Sequence, residues 1–420
     1  MARFNNTFEF IGNIAIPKPE RFYEVKENAT KTWEGHRLSF GVQESKLNTV
    51  FVEIYGGRKP NGENKVFTFS KSANGEKGSK LEISWADRLK PEVVDMVAHF
   101  KKIIVDLETD QEVKKSIYEL LYKIRNIENK DTITEDDKSE LAKLKEEYKA
   151  LAKNRFEFIS EYDAIVLLAN KLTELKDYKF RVRGNIDFTE YKGKYYKKFY
   201  ANFIEIVPND TENKLTAKIN IFFDKDSLDE TDLKEDKKAY INGWVQNYNR
   251  ATKADGFIPQ QFIINASKLD FDDETHMAYY NLLADTFKVK KGYYCLPFDV
   301  NVYRGAEKID FTYDDLTDEQ KKYVQLGIKT IEDFAPRGGM FGTNIEEFRL
   351  VAAILEDEYK DGRVDTGLND EEFAELLFKS TADVNLSDEL NKQEQKQKIK
   401  QEDKTNTETD LKAKLNSLFG

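Results

Sequence analysis

The chain has 420 residues, 40% of them hydrophobic and 34% charged, and a formal net charge of -11. That charge argues against a general polyanion binder, so any nucleic-acid contact has to be local. The single cysteine, Cys295, excludes an intramolecular disulfide and fits a reducing compartment, and no window approaches the ~18 apolar residues of a membrane span.

A length of 420 residues predicts two or three domains, at ~150 residues each. Residues 1–90 read as strands: TFEFIGNIAI (Thr7–Ile16), HRLSFGVQES (His36–Ser45), NTVFVEIYGG (Asn48–Gly57), NKVFTFSK (Asn64–Lys71) and KLEISWADRL (Lys80–Leu89). Each alternates and is rich in β-branched or aromatic residues, with Gly56-Gly57, Pro60-Asn61-Gly62 and Asn74-Gly75 as turns between them. In the third, Val50, Val52 and Ile54 share one face, while Phe51, Glu53 and Tyr55 share the other.

Residues 91–176 switch to helical period and are expected to form a helical insertion. The candidate helices are EVVDMVAHFKKIIVDL from Glu92, Gln111–Lys130, SELAKLKEEYKALAKNRFEFI from Ser139, and AIVLLANKLTEL from Ala164. Thr134 and the acidic residues after it predict a capped start, and the segment around Asn129–Asp137 predicts a helical hairpin.

Residues 177–310 return to strands and are expected to form the second β domain. It opens with the most informative stretch, Lys176–Tyr200, where eight basic residues face only Asp177, Asp187 and Glu190. Read as strands, Tyr178, Phe180, Val182, Gly184 and Ile186 are core, and Lys179, Arg181 and Arg183 form a row of cations on the other face. In the next strand, Tyr195, Lys197 and Phe199 alternate with Tyr196, Lys198 and Tyr200, so each face carries both rings and lysine. Glu190-Tyr191-Lys192-Gly193 supplies the turn and Lys194 follows it. Cations for phosphates interleaved with rings for bases are what a single-stranded platform requires. A solvated hairpin with half-buried tyrosines is the competing interpretation, since strands favour aromatics. Trp244, in GWVQNYNR, is a further stacking candidate; Tyr248, Arg250, Trp33 and Arg37 rank behind it.

Residues 311–379 read as a helical C-terminal part, with FAPRGGMFGTN between EQKKYVQLGIKTIEDF and IEEFRLVAAILEDEY. From 380 to 420 the chain is polar and is expected to be a disordered tail. Leu411, Leu415, Leu418 and Phe419 line one side of a terminal docking peptide.

Catalytic and metal signatures are missing. Gly57 and Gly62 have phosphate-loop spacing, but Glu63 and Asn64 stand where Lys and Ser or Thr are needed. His36, His99 and His276 are far apart, and Cys295 has apolar neighbours. The expectation is a protein that is not an enzyme and takes no cofactor.

FRVRGNIDFTEYKGKYYKKFYANFIEIVPND, a strand with a central glycine, a hairpin and a long strand ending in Val-Pro, resembles segments of single-stranded-DNA-binding proteins with the OB-fold. IGNIAIPKP…RLSFGVQES…FVEIYGG is similar in organisation, and Phe10-Ile-Gly-Asn-Ile14 echoes Val182-Arg-Gly-Asn-Ile186. The whole resembles the replication-associated single-strand binders of tailed phages. Bacterial binders of this class end in an acidic tip closing on Pro-Phe; here Lys414-Leu-Asn-Ser-Leu-Phe-Gly420 is not acidic. The resemblance implies an α+β fold with two OB-like antiparallel β-barrel domains (1–90 and 177–310), a cytoplasmic setting (host cytoplasm for a phage protein), and sequence-tolerant binding of single-stranded DNA in replication or recombination. A replication protein would dock on the tail. The rival expectation is a structural or protein-interaction component of a virion or of host takeover.

Overall fold

The computed structural model describes residues 5–377, apart from 73–77, 131, 250–252, 310, 314–315, 336–339 and 355–362. The expected tail and its docking residues Leu411, Leu415, Leu418 and Phe419 lie outside the described residues. The fold is α+β and mostly strand. No helix among the described residues is long and apolar enough to cross a membrane.

The chain begins with β1 (Thr7–Ala15), the short helix α1 (Pro19–Phe22), β2 (Tyr23–Glu27), β3 (Glu34–Ser45) and β4 (Asn48–Arg58). β5 (Lys65–Phe69) and β6 (Lys80–Ser84) make a small separate sheet. α2 (Pro91–Met96), β7 (Ile103–Asp106), α3 (Gln111–Glu128), α4 (Glu135–Leu151), β8 (Arg155–Phe158) and α5 (Glu161–Lys171) follow. Then come β9 (Lys179–Tyr191), β10 (Lys194–Val207), β11 (Lys214–Phe223), β12 (Leu228–Asp229), β13 (Lys238–Asn249) and β14 (Ala254–Asn265). α6 (Glu274–Asp285), β15 (Tyr294–Ile309), α7 (Asp318–Gln325), β16 (Met340–Ala353), β17 (Val364–Asp365) and α8 (Asp370–Leu376) complete the described chain.

Strand pairing closes on itself twice. In the first circuit β1 pairs antiparallel with β3, β3 with β4, β4 runs parallel to β10, β10 pairs with β9, and β9 returns to β1. In the second, β11 pairs with β13, β13 with β14, β14 runs parallel to β16, β16 pairs with β15, and β15 returns to β11. The order is the same in both: first, second, third, fifth, fourth, first. A helix, α5 or α6, precedes the fourth strand each time. β1 joins the circuits by pairing Thr7–Ile11 with Lys214–Lys218 of β11. Gly12 lies where β1 leaves β11 for β3 while staying paired with β9; a Cβ there would stand 2.2 Å from the Gln43 carbonyl oxygen.

These pairings do not divide the sheet at residue 177. β9 and β10 complete the circuit begun by β1, β3 and β4, and the segment between β4 and α5 is an insertion into that circuit. Alternation explains the packing: Leu38, Phe40 and Val42 of β3 and Val50, Val52 and Ile54 of β4 are buried, while Phe51 and Tyr55 stay exposed. One apolar core runs through both circuits, with Phe348 of β16 6.2 Å from Phe188 and 6.5 Å from Phe199, centroid to centroid.

Three helix expectations are corrected. The helix expected from Ser139 to Ile159 stops at Leu151, and Arg155–Phe158 is the strand β8, paired with β7. Glu92–Leu107 is not one helix: α2 stops at Met96, and Ile103–Asp106 is a strand buried at all four positions and paired with β8 and β10. IEEFRLVAA (345–353) belongs to β16, where Phe348 and Leu350 turn into the core and the strand pairs with β15. In each case strand pairing and burial outweigh local helical preference. The α3–α4 hairpin forms as expected, with Asp110 capping α3 and a reciprocal Thr134–Asp137 cap on α4. Leu120, Ile124, Ile127 and Leu144 give it a small core of its own.

Candidate nucleic-acid interface

The β9–β10 hairpin is built as a long antiparallel ribbon. Lys192 (φ 53°) and Gly193 (φ 75°) both adopt the left-handed region at its turn, which matches the right-handed twist of the flanking strands. Glu190 accepts a hydrogen bond from the Gly193 amide and steadies the tip. Gly184 lies under the bulge at Ala201–Phe203; a Cβ there would meet the Tyr200 carbonyl oxygen at 1.9 Å.

The sequence candidates separate into two groups. Tyr191, Tyr195 and Tyr196 are about half exposed around the turn, with Lys192 and Lys194 exposed among them. Arg183 is also exposed and its guanidinium lies 4.1 Å from the Phe203 ring centroid. No carboxylate pairs with Arg183, Lys192 or Lys194 among the described residues. Lys198 is partly exposed and 3.0 Å from Glu53, and Tyr200 stands beside it, opposite Glu53 in register.

The remaining candidates have structural partners. Lys179 donates to the Thr211 carbonyl. Arg181 bonds Glu205 at 2.7 Å, within a cluster that also brings Lys114 (3.1 Å) and the Tyr118 hydroxyl (2.7 Å) to the same carboxylate. Burial raises the Glu205 pKa, but Lys114, Tyr118 and Arg181 together outweigh it and hold the group below the ordinary carboxylate value. Lys197 turns inward over the Phe348 ring (4.5 Å) beside Glu346 (3.4 Å), and burial pulls its pKa down despite that partner. Trp244 packs edge-on to Phe373 (4.8 Å) and Tyr293 (6.0 Å), inside an aromatic cluster that α8 closes.

The first circuit brings further groups beside the hairpin. Phe51 and Tyr55 project from β4 at 37% and 51% exposure, and Trp33 at 39% precedes β3. Tyr55 stands opposite Arg37 of β3 in register, Arg37 reaches Glu24 at 2.9 Å, and Arg304 lies 5.6 Å from the Phe51 ring centroid. The sequence signal for these was the Phe51–Glu53–Tyr55 face; what it lacked was the parallel pairing of β4 with β10, which sets Tyr200 beside Glu53. The outer surface of β10, β4 and β3 therefore gathers rings and cations around Glu53, which Lys198 approaches at 3.0 Å and Arg37 at 3.7 Å.

Cys295 is buried in the second circuit, and burial pushes its thiol up to about 12. No group of three or more His, Cys, Asp or Glu residues that could hold a metal ion occurs among the described residues.

No family model matches the chain, and no curated protein matches it. Among solved structures it is similar to a deletion mutant of the single-stranded DNA binding protein from Thermus aquaticus. The identity is 11%, the match covers 72% of this chain and 89% of the other, and the TM-score is 0.25.

Proposed function

We propose that the protein binds single-stranded DNA without sequence preference and without catalysis, and that each strand circuit is an OB barrel. On this reading the first barrel is β1, β3, β4, β9 and β10, interrupted by the helical insertion, and the second is β11, β13, β14, β15 and β16. OB barrels take oligonucleotides on the face of their second and third strands, flanked by the loop between strands four and five. In the first circuit those strands are β3 and β4, and that loop is the Lys192–Gly193 turn. The observation that carries the proposal is the coincidence of this location with the exposed rings from Tyr195 to Tyr55 and with the cations beside them, of which Lys192, Lys194 and Arg183 have no carboxylate partner among the described residues while Lys198 and Arg37 are engaged by Glu53 and Glu24. Phosphates would meet Arg37, Arg183, Lys192, Lys194 and Lys198, and bases would stack on Phe51, Tyr55, Tyr191, Tyr195, Tyr196 and Tyr200. A role in phage replication or recombination, with a replication partner on the tail, rests on the sequence resemblance.

The test is fluorescence anisotropy of labelled oligo-dT titrated with the full chain across a range of salt. Binding that weakens steeply with salt, with duplex a poor competitor, is the expected result. No binding at low salt overturns the proposal and favours a protein-interaction role.

A further inference from the structure

Beside the open face lies a groove of about 1060 Å³, roofed on one side by α3 and floored by β1, β9 and β10, with β11 and β15 as its far wall. Its volume exceeds that of most drug-sized ligand sites, so it has room for a run of nucleotides. The surface is cationic in an acidic protein: Arg125, Arg183, Lys214 and Lys218 line it, against Glu9 and Asp299. Lys214 is engaged by Glu9 at 2.6 Å. No carboxylate pairs with Arg125, Arg183 or Lys218 among the described residues. Arg125 is aimed by a 2.9 Å contact to the His99 Nε2 atom; burial and the nearby Arg125 lower the His99 pKa, which favours a neutral, accepting ring. Two rings stand between these cations. Tyr122 is 67% exposed on α3, and Phe203 lies under the Arg183 guanidinium.

The groove also joins the open face. Arg183 is opposite Phe203 in the β9–β10 register, and Asn185, on the groove floor, is opposite Tyr200. We infer that the helical insertion is a clamp on single-stranded nucleic acid: a strand on the open face continues past Tyr200 and runs beneath α3. Its phosphates meet Arg125 and Lys218, and its bases stack on Tyr122 and on the Arg183 guanidinium held over Phe203. This rests on the function proposed above and adds to it a second segment of the path, built by the insertion. An acidic peptide would satisfy the cations but would leave the interleaved rings without a role, which favours nucleic acid.

The experiment uses the full chain, the variants Tyr122→Ala, Arg125→Glu and Lys218→Ala, and oligo-dT of two lengths, ~5 and ~16 nucleotides, the extremes that single OB barrels take. Tyr122 and Arg125 are exposed on α3, so these changes leave the fold intact, as circular dichroism will verify. The expected result is an affinity for the long strand reduced about tenfold or more in Tyr122→Ala. The salt slope should fall by ~0.7 in Lys218→Ala and by at least that in Arg125→Glu. The short strand, held by the open face alone, should bind as before. Long-strand affinity and slope unchanged in all three variants overturn the clamp while leaving the open face standing. Equal losses at both lengths also overturn it, by placing α3 within a single compact site. Failure of the unaltered protein to bind either strand removes the proposed function itself.

Discussion

Neutralising the hairpin tip should weaken single-strand binding by a calculable amount. Lys192 and Lys194 are exposed, and neither has a carboxylate partner among the described residues, so both charges are available to phosphate. The ammonium of Lys192 lies 5.2 Å from the Tyr191 ring centroid, which places a cation and a stacking surface together. Each phosphate contact on a single strand contributes ~0.7 to the slope of log affinity against log salt, so Lys192→Ala with Lys194→Ala should reduce it by about 1.4. Near 0.1 M salt that corresponds to about 2 kcal/mol, or about thirtyfold in affinity. Anisotropy of labelled oligo-dT at four or more salt concentrations measures both quantities. Lys197→Ala is the informative control, because Lys197 is inside, over Phe348 and beside Glu346. It should cost about 0.5–3 kcal/mol of stability and leave the slope alone. A slope unchanged by the double substitution, or reduced as much by Lys197→Ala, would refute the assignment of the tip to phosphate.

Three further outcomes follow from the packing and titration of particular groups. Phe373→Ala should undock α8, since Phe373 is 3% exposed and stacked between Tyr293 (3.9 Å) and Phe257 (4.7 Å); truncating so buried a ring costs about 3–5 kcal/mol. Faster amide exchange confined to α8 and its neighbours is expected, and unaltered α8 protection would contradict the packing argument. Cys295, with its thiol pushed up to about 12, should resist thiol reagents in the native protein and react once denaturant is added, whereas rapid native labelling would show the site is open. Asp95 falls from an ordinary 3.8 to about 2: burial raises it, but Lys145 and Lys71 outweigh that. Its depressed value means a stabilising contribution that is present above pH 3.8 and lost as pH falls toward 2, so Asp95→Asn should flatten the acid limb of a stability-against-pH curve there. An identical acid limb in the variant would remove Asp95 from that role.

Much of this architecture was legible because local chemistry and final structure agree. β3, β4, β9 and β10 alternate cleanly, and the Lys192–Gly193 turn and the Thr134 cap carry their own signals. Ile103–Asp106 was not legible, because a short apolar run buried on both faces has no period to distinguish strand from helix. β16 was hidden for a different reason: Glu346, Glu347, Leu350 and Ala352 are good helix formers, and only pairing with β15 makes them a strand. The choice of inner lysine was also out of reach. Lys197 and Lys198 sit on opposite faces with rings beside each, and the contact of Lys197 with Phe348 is made by a residue 151 positions away. The same non-locality concealed the unit boundary, since β1 meets β9 across the entire insertion.

The two circuits share an order of strands but differ in what their second and third strands offer. In the first, Phe51 and Tyr55 of β4 remain exposed, and the insertion leaves that surface open while walling a groove at its edge. In the second, Trp244 of β13 and Phe257 of β14 are already engaged: Phe373 lies against both, with Tyr293 closing the stack. The rings that would have served a base there serve α8. The connection from the first to the second strand of that circuit, Asp224–Lys237, is acidic and would repel phosphate, whereas the first circuit exposes Lys192 and Lys194 at its hairpin. The proposed binding accordingly uses the first circuit and its insertion, and takes from the second circuit Lys218 of β11 at the groove's far wall and not the face of β13 and β14. It follows that Trp244→Ala, despite removing a tryptophan from a strand of the right order, should loosen α8 without weakening the grip on a single strand. Loss of strand affinity in that variant, with the hairpin intact, would show instead that both circuits bind.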